Sequence, residues 1–205
     1  MIDHFVLGVA QLESGTRCVA DATGVDPVLG GRHTQLGTHN ALVALGERQY
    51  LEILAPDPTQ PVLVDALTAL RGLTVPTLVK WAAATDDVDR ASELMRGHGF
   101  AVDAVERGSR TRSDGKVLHW RQVGFLSVSS LDVPFVIEWG AGSVHPAEDS
   151  PGGCAVARFT VSSPRSAALS QLCTDLGAAV TVRRGAVARL ELVLDTLRGV
   201  VELTS

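Results

Sequence analysis

Aromatic residues are scarce in this sequence: three tryptophans, one tyrosine and five phenylalanines make up 4 % of 205 residues. So few rings leave little from which to build a platform for flat molecules, and Trp81, Trp120 and Trp139 read as core or rim. Cysteine is scarce as well. Cys18, Cys154 and Cys173 are an odd number without C-x-x-C spacing, and Cys18 and Cys173 fall in helical patterns that suit buried reduced thiols. No apolar run approaches the ~18 residues of a membrane helix, and no charged stretch followed by an apolar one opens the chain. The expectation is a cytoplasmic protein without a membrane partner. Charge of either sign is unconcentrated: the net charge is −5, with acids and bases interspersed. The basic stretch 107–116, holding Arg107, Arg110 and Arg112, reads as a solvated loop able to grip one anionic group. Nucleic acid is excluded as a partner, because binding it needs a concentrated positive surface. There is no G-x-S-x-G elbow, and Gly30-Gly31 has neither dinucleotide nor phosphate-loop spacing, so covalent catalysis and nucleotide binding lack support.

What is present is apolar patterning. Hydrophobic residues supply 45 % of the chain and the mean hydropathy is +0.19, values that suit tight burial and an apolar subunit interface. The pattern repeats. An apolar run at 2–9 precedes a helical one at 12–24 that stops on Gly24, a turn-rich segment at 27–33, and apolar runs at 39–45 and 49–55 joined as a hairpin. A short strand between helix and hairpin completes the order β-α-β-β-β. TLVKWAAAT (77–85) opens a second copy, with a helix at 89–99, extended structure at 100–105, and strands at 117–125 and 134–140. A shorter third copy runs from AVARFTVSS (155–163) through a helix at 164–177 to VVEL (200–203). A connecting helix spans 61–72, and HPAEDSPGG (145–153) is the linker, with a boundary near residue 150. The fold class is α+β, with modules at about 1–58 and 76–147 forming one unit (1–147) and a partial third module at 152–205.

Strand alternation nominates a site. His4 shares a face with Ile2 and Val6, Glu52 with Tyr50 and Leu54, and Glu138 with Val136; Phe5, Leu7, Leu51, Ile53, Phe135, Ile137 and Trp139 are left to pack under helices. His39 shares parity with Ala41 and Val43 and is assigned to the same cup, against a purely structural alternative. His119 either faces the cup from the second module or occupies solvent. His33 and Arg32 in the glycine-rich turn read as exposed, and His145 as structural.

IDHF (2–5), GGRHTQLGTHNAL (30–42), YLEILAPD (50–57), PFVIEWG (134–140) and the following His145-Pro146 resemble the vicinal-oxygen-chelate superfamily, and within it the glyoxalase-like domain proteins. The resemblance implies tandem βαβββ modules whose mixed sheets curl around one cup, with metal ligands on the first and last strand of each module. Those places map to His4, Glu52, Lys80 and Glu138. A protonated ammonium cannot ligate a cation. Two arrangements therefore stand: His4, Glu52 and Glu138 hold one divalent metal (Zn, Fe or Mn), or Lys80 replaces the ion and the cup holds none. The first implies isomerase, lyase or dioxygenase chemistry with Glu138 moving the proton. The second implies a small-molecule binding or sequestering protein. His39, Lys80, Tyr50 and His119 are the substrate-binding candidates in either, and monomer and homodimer are both consistent with the pattern.

Overall fold

The computed structural model describes residues 1–112, 115–126 and 130–205. Among these residues the first module contains β1 (Ile2–Gly8), α1 (Leu12–Thr23), β2 (Val28–His33), β3 (Thr38–Gly46) and β4 (Gln49–Pro56). The second contains β5 (Thr77–Ala84), α2 (Val88–Gly97), β6 (Glu106–Thr111), β7 (Val117–Val123) and β8 (Phe135–Trp139). The third contains β9 (Cys154–Ser163), α3 (Ser166–Asp175), β10 (Thr181–Arg184), β11 (Arg189–Thr196) and β12 (Gly199–Thr204). Each module is thus βαβββ.

The first two modules close one barrel in the order β1-β4-β3-β2-β6-β7-β8-β5, and the third forms a four-stranded sheet, β10-β9-β11-β12. The barrel has two unlike seams between modules. At one, β1 runs antiparallel to β5 along its length, pairing Ile2 with Ala83 and Gly8 with Thr77. At the other, β2 and β6 share, among the described residues, one registered pair, Arg32 with Thr111.

Alternation along the strands sorts the apolar residues into two cores. Phe5, Leu7, Leu51, Ile53 and Trp81 face outward and pack beneath α1, α2 and the third sheet. Val6, Leu54, Ala82, Phe135 and Ile137 face inward, where Leu63, Leu67 and Leu70 close over them. Phe159 of β9 fixes the third sheet on the barrel, meeting Phe5 edge-on at 4.8 Å and Trp81 at 5.3 Å between ring centroids. Its neighbours Val161, Leu190, Leu192 and Leu194 belong to the same outer core as α1 and α2. The helices end as their sequences predict: Gly24 takes a left-handed φ of 78° and donates its N–H to Ala20.

Three local expectations need correction. The connecting helix is a 3₁₀ segment, Asp65–Gly72. No strand forms at 100–105; the strand begins instead at Glu106 and runs into the basic stretch. That stretch reads as loop because it is polar on both faces, yet Arg107, Ser109 and Thr111 are exposed while Arg110 is buried, the period of a strand. Residues 113–114 of the expected loop lie outside the described residues. Cys18, expected buried, is exposed on α1.

Because the outer core is continuous across all three modules, urea unfolding should show one transition. Phe159→Ala should lower the unfolding free energy by about 3–5 kcal/mol, the usual cost of emptying a buried phenylalanine site. A separate early transition for the third module would contradict this account.

Candidate functional site

The inward faces at one end of the barrel carry polar rather than apolar side chains. A bulge opens β1 between Ile2 and His4, whose partners on β5, Ala83 and Ala82, are adjacent. Bulges re-aim side chains, and here Asp3 and His4 are both buried against each other. His4 donates Nδ1–H to Asp3 Oδ1 at 2.6 Å. Asp3 Oδ2 accepts from Trp139 Nε1 at 3.0 Å and from His145 Nε2 at 3.2 Å. Burial works to raise the Asp3 pKa, but the hydrogen bonds from His145 and His4 outweigh it and hold the carboxyl well below its ordinary range. Asp3 is therefore ionised, and its hydrogen bond engages Nδ1 of His4 and leaves Nε2 as the ring nitrogen turned toward the cavity. That Nε2 lies 3.8 Å from Glu52 Oε2. Tyr50 stacks on the His4 ring at 4.5 Å and 17°. Burial raises the Tyr50 pKa well above 10, so the phenol stays protonated.

Glu52 leads to a second chain of partners. Its Oε1 accepts from Asn40 Nδ2 at 2.5 Å, and Asn40 Oδ1 accepts from Arg110 Nη1 at 3.0 Å. A Cβ on Gly30 would overlap the Arg110 guanidinium and the Asn40 carboxamide, so the Gly30-Gly31 pair clears the path by which Arg110 crosses from β6 to β3. His33 stands 3.9 Å from Glu52 and meets Thr38 Oγ1 through Nδ1 at 3.0 Å. Its pKa is lowered to about 4, chiefly by burial; the Glu52 charge opposes this, and Arg110, His4 and His39 add to it. His4, His33, Asn40, Tyr50, Glu52 and Arg110 line a cavity of about 40 Å³, enough for water-sized occupants. Leu54 and Phe125 line this cavity and also a larger apolar groove of about 380 Å³.

The sequence-nominated residues divide between this cluster and other places. His4, Glu52 and Tyr50 meet at the polar cavity. Glu138 does not join them. It faces α2, where Oε2 accepts the Val88 N–H at 2.9 Å and lies 3.5 Å from Arg121. The parity argument placed the large residues of β8 under the helix, but Ile137 and Trp139 line the cavity instead. The helix N-terminus takes the carboxylate because its free N–H groups and dipole favour an anion. Lys80 lines the apolar groove rather than the polar cavity. His39 faces outward beside Arg32 in a surface cleft, while Asn40 takes the inward position. His119 is exposed. Asp3, His33, Asn40 and Arg110 are the members that strand parity passed over. An acid within an apolar strand was the available signal for Asp3.

The donor set does not fit a resident divalent ion. The inward positions of β5 and β8 are Lys80, Ala82, Ile137 and Trp139, which supply no ligand. Glu52 is engaged by Asn40, and the Arg110 charge lies near it. Among the described residues, no group of three or more His, Cys, Asp or Glu side chains is placed to hold a metal.

Paired βαβββ modules close here into one barrel around a polar cup. The chain belongs to the glyoxalase-like domain family, whose model matches residues 2–177. No curated protein matches the sequence. A hypothetical protein from Staphylococcus aureus has a similar structure at 14 % identity and a TM-score of 0.64, covering 99 % of this chain and 84 % of that one. A variant of Streptomyces coelicolor methylmalonyl-CoA epimerase, in complex with 2-nitronate-propionyl-CoA, scores 0.49 at 17 % identity over 70 % of this chain and 96 % of its own. A variant of 4-hydroxymandelate synthase from Streptomyces coelicolor scores 0.47 at 14 % identity over 99 % and 62 %. These likenesses concern the fold. No helix among the described residues is long and apolar enough to cross a membrane.

His33 makes stability depend on pH. Its folded pKa lies below the ordinary histidine value of 6.5, at about 4, so between these values the unfolded chain takes a proton that the folded protein refuses. Stability is therefore full above pH 6.5 and falls as pH drops toward 4, by up to about 3 kcal/mol. Half-buried His39, also lowered by burial, acts in the same direction. Urea denaturation across this range should show the loss, and His33→Gln should flatten most of it; an unchanged slope in the variant would remove His33 as the cause.

Proposed function

We propose that the protein takes a small oxygen-bearing organic molecule into the barrel and moves a proton on it with His4, with no metal in the step. The observation that carries this reading is the Asp3–His4 pair. The 2.6 Å hydrogen bond to Asp3 fixes the tautomer of His4, and its free Nε2 is directed toward Glu52 at the cavity. An imidazole held in this way suits general base chemistry on a carbon acid beside a carbonyl. The proton passes from carbon to Nε2, and the electron pair of the broken C–H bond moves to the carbonyl oxygen as an enolate. Glu52 stabilises the resulting imidazolium. Arg110, lining the same cavity, supplies positive charge for the enolate oxygen. Return of the proton to either face of the carbon gives isomerisation or epimerisation. Arg110 thus takes the role of compensating cation that the sequence pattern offered to Lys80.

Ligand binding without chemistry is the second reading. It is favoured by the contrast between the small polar cavity and the much larger apolar groove beside it. Exchange in deuterated water separates the two. Proton NMR of a panel of 2-oxo acids and acyl thioesters should reveal wash-in at the carbon beside the carbonyl. His4→Gln should slow it by about 10²–10⁴-fold, the usual contribution of a positioned base, and a chelator should leave it unchanged. Equal exchange rates in wild type and His4→Gln would end the proton-transfer reading, and binding without any exchange would favour the second.

A further inference from the structure

The apolar groove contains one feature that neither the fold nor the polar cavity requires. Leu67, Leu70 and Leu73 of the 3₁₀ segment and its exit form one wall, and Val6, Leu54 and Phe125 form others. Among its described lining residues Lys80 carries the only ionisable side chain. The Lys80 Nζ lies 5.8 Å from the centre of the Phe125 ring. Burial lowers its pKa to about 8, as expected of an ammonium beside an apolar wall. A volume of about 380 Å³ lies in the range of small-molecule sites, which are mostly apolar with a few placed polar groups.

We propose that this groove is a binding site for monocarboxylates with a hydrocarbon body, the carboxylate pairing with Lys80 and the body lying against Leu54, Leu67, Leu70 and Phe125. Charge complementarity selects the acid over a neutral or cationic amphiphile, and the leucines and phenylalanine reward apolar length. Register connects this site with the polar cavity. Lys80 pairs with Val6, and Ala82 pairs with His4. One alternation step along β5, about 7 Å, therefore separates the level of the ammonium from that of the imidazole. Leu54 and Phe125, common to both spaces, lie between them. A carboxylate on Lys80 would direct an adjoining oxygenated carbon toward His4, which narrows the substrate class of the proposed proton transfer to carboxylic acids; the binding itself does not depend on that reading.

Isothermal calorimetry with decanoate, decanol and decyltrimethylammonium tests the site, and the deuterium exchange described above tests His4 separately. Decanoate should bind wild type at least tenfold more tightly than either other probe. Lys80→Met should weaken decanoate at least tenfold and leave decanol within about twofold, while Lys80→Arg should keep most of the preference for the acid. Leu67→Trp, which fills the groove while leaving the charge, should reduce decanoate binding at least tenfold. Thermal melts identify folded variants for the comparison. The proposal is overturned if folded wild type binds decanoate no better than decanol, or if folded Lys80→Met binds decanoate as wild type does. Undisturbed decanoate binding in folded Leu67→Trp would also overturn it. Loss of exchange in His4→Gln with decanoate binding intact would support both assignments.

Discussion

An ionised carboxylate buried inside a barrel must be surrounded by donors, and Asp3 sets that requirement for this fold. Removing such a group from water costs several kcal/mol unless hydrogen bonds replace the lost hydration. The three donors come from separate parts of the chain: His4 on β1 of the first module, Trp139 on β8 of the second, and His145 after the second module. Satisfying one charge therefore brings both modules and the start of the linker into register. His145 is itself fixed, since its Nδ1 accepts from Ala147 and its backbone N–H donates to Glu148. The adjacent imidazole inherits this rigidity, which makes its free nitrogen a defined group.

Much of the architecture is legible in the sequence because burial writes its period into it. The three βαβββ modules follow from apolar runs, helical spacing and stop glycines, and the β1–β4 arrangement puts His4 and Glu52 together. Parity within a strand is harder to read when both faces are buried. Phe135, Val136 and Ile137 are all buried, so hydrophobicity alone cannot say which set faces the helix, and the side assigned to Glu138 is reversed for that reason. The bulge in β1 defeats a strict two-residue alternation and conceals Asp3. Arg110 is concealed differently: its buried charge is offset by partners on β3 and β4, distant in sequence. The His39–Asn40 choice turns on the same kind of information, because only the Arg110 and Glu52 contacts show why the amide lies inside.

The polar end can be viewed as a charge arrangement built from side chains alone. Two carboxylates, Asp3 and Glu52, are each engaged by donors, and Asn40 links Glu52 to the Arg110 guanidinium with one group of its carboxamide turned to each. The second module turns Ala82, Ile137 and Trp139 inward on β5 and β8, and it supplies Arg110 from a different strand.

The two seams that bind the modules into a barrel are unequal. Along β1 and β5 the modules are joined like the spine of a book, by a ladder running nearly the full strand. Along β2 and β6 they meet, among the described residues, at one registered pair, and the Arg110–Asn40 hydrogen bond reaches across that fore-edge from inside. The side chain that bridges this edge also lines the polar cavity. Arg110 thus serves as a stitch as well as a charge: the residue that lines the end of the cup also ties the two modules together across their more sparsely paired edge.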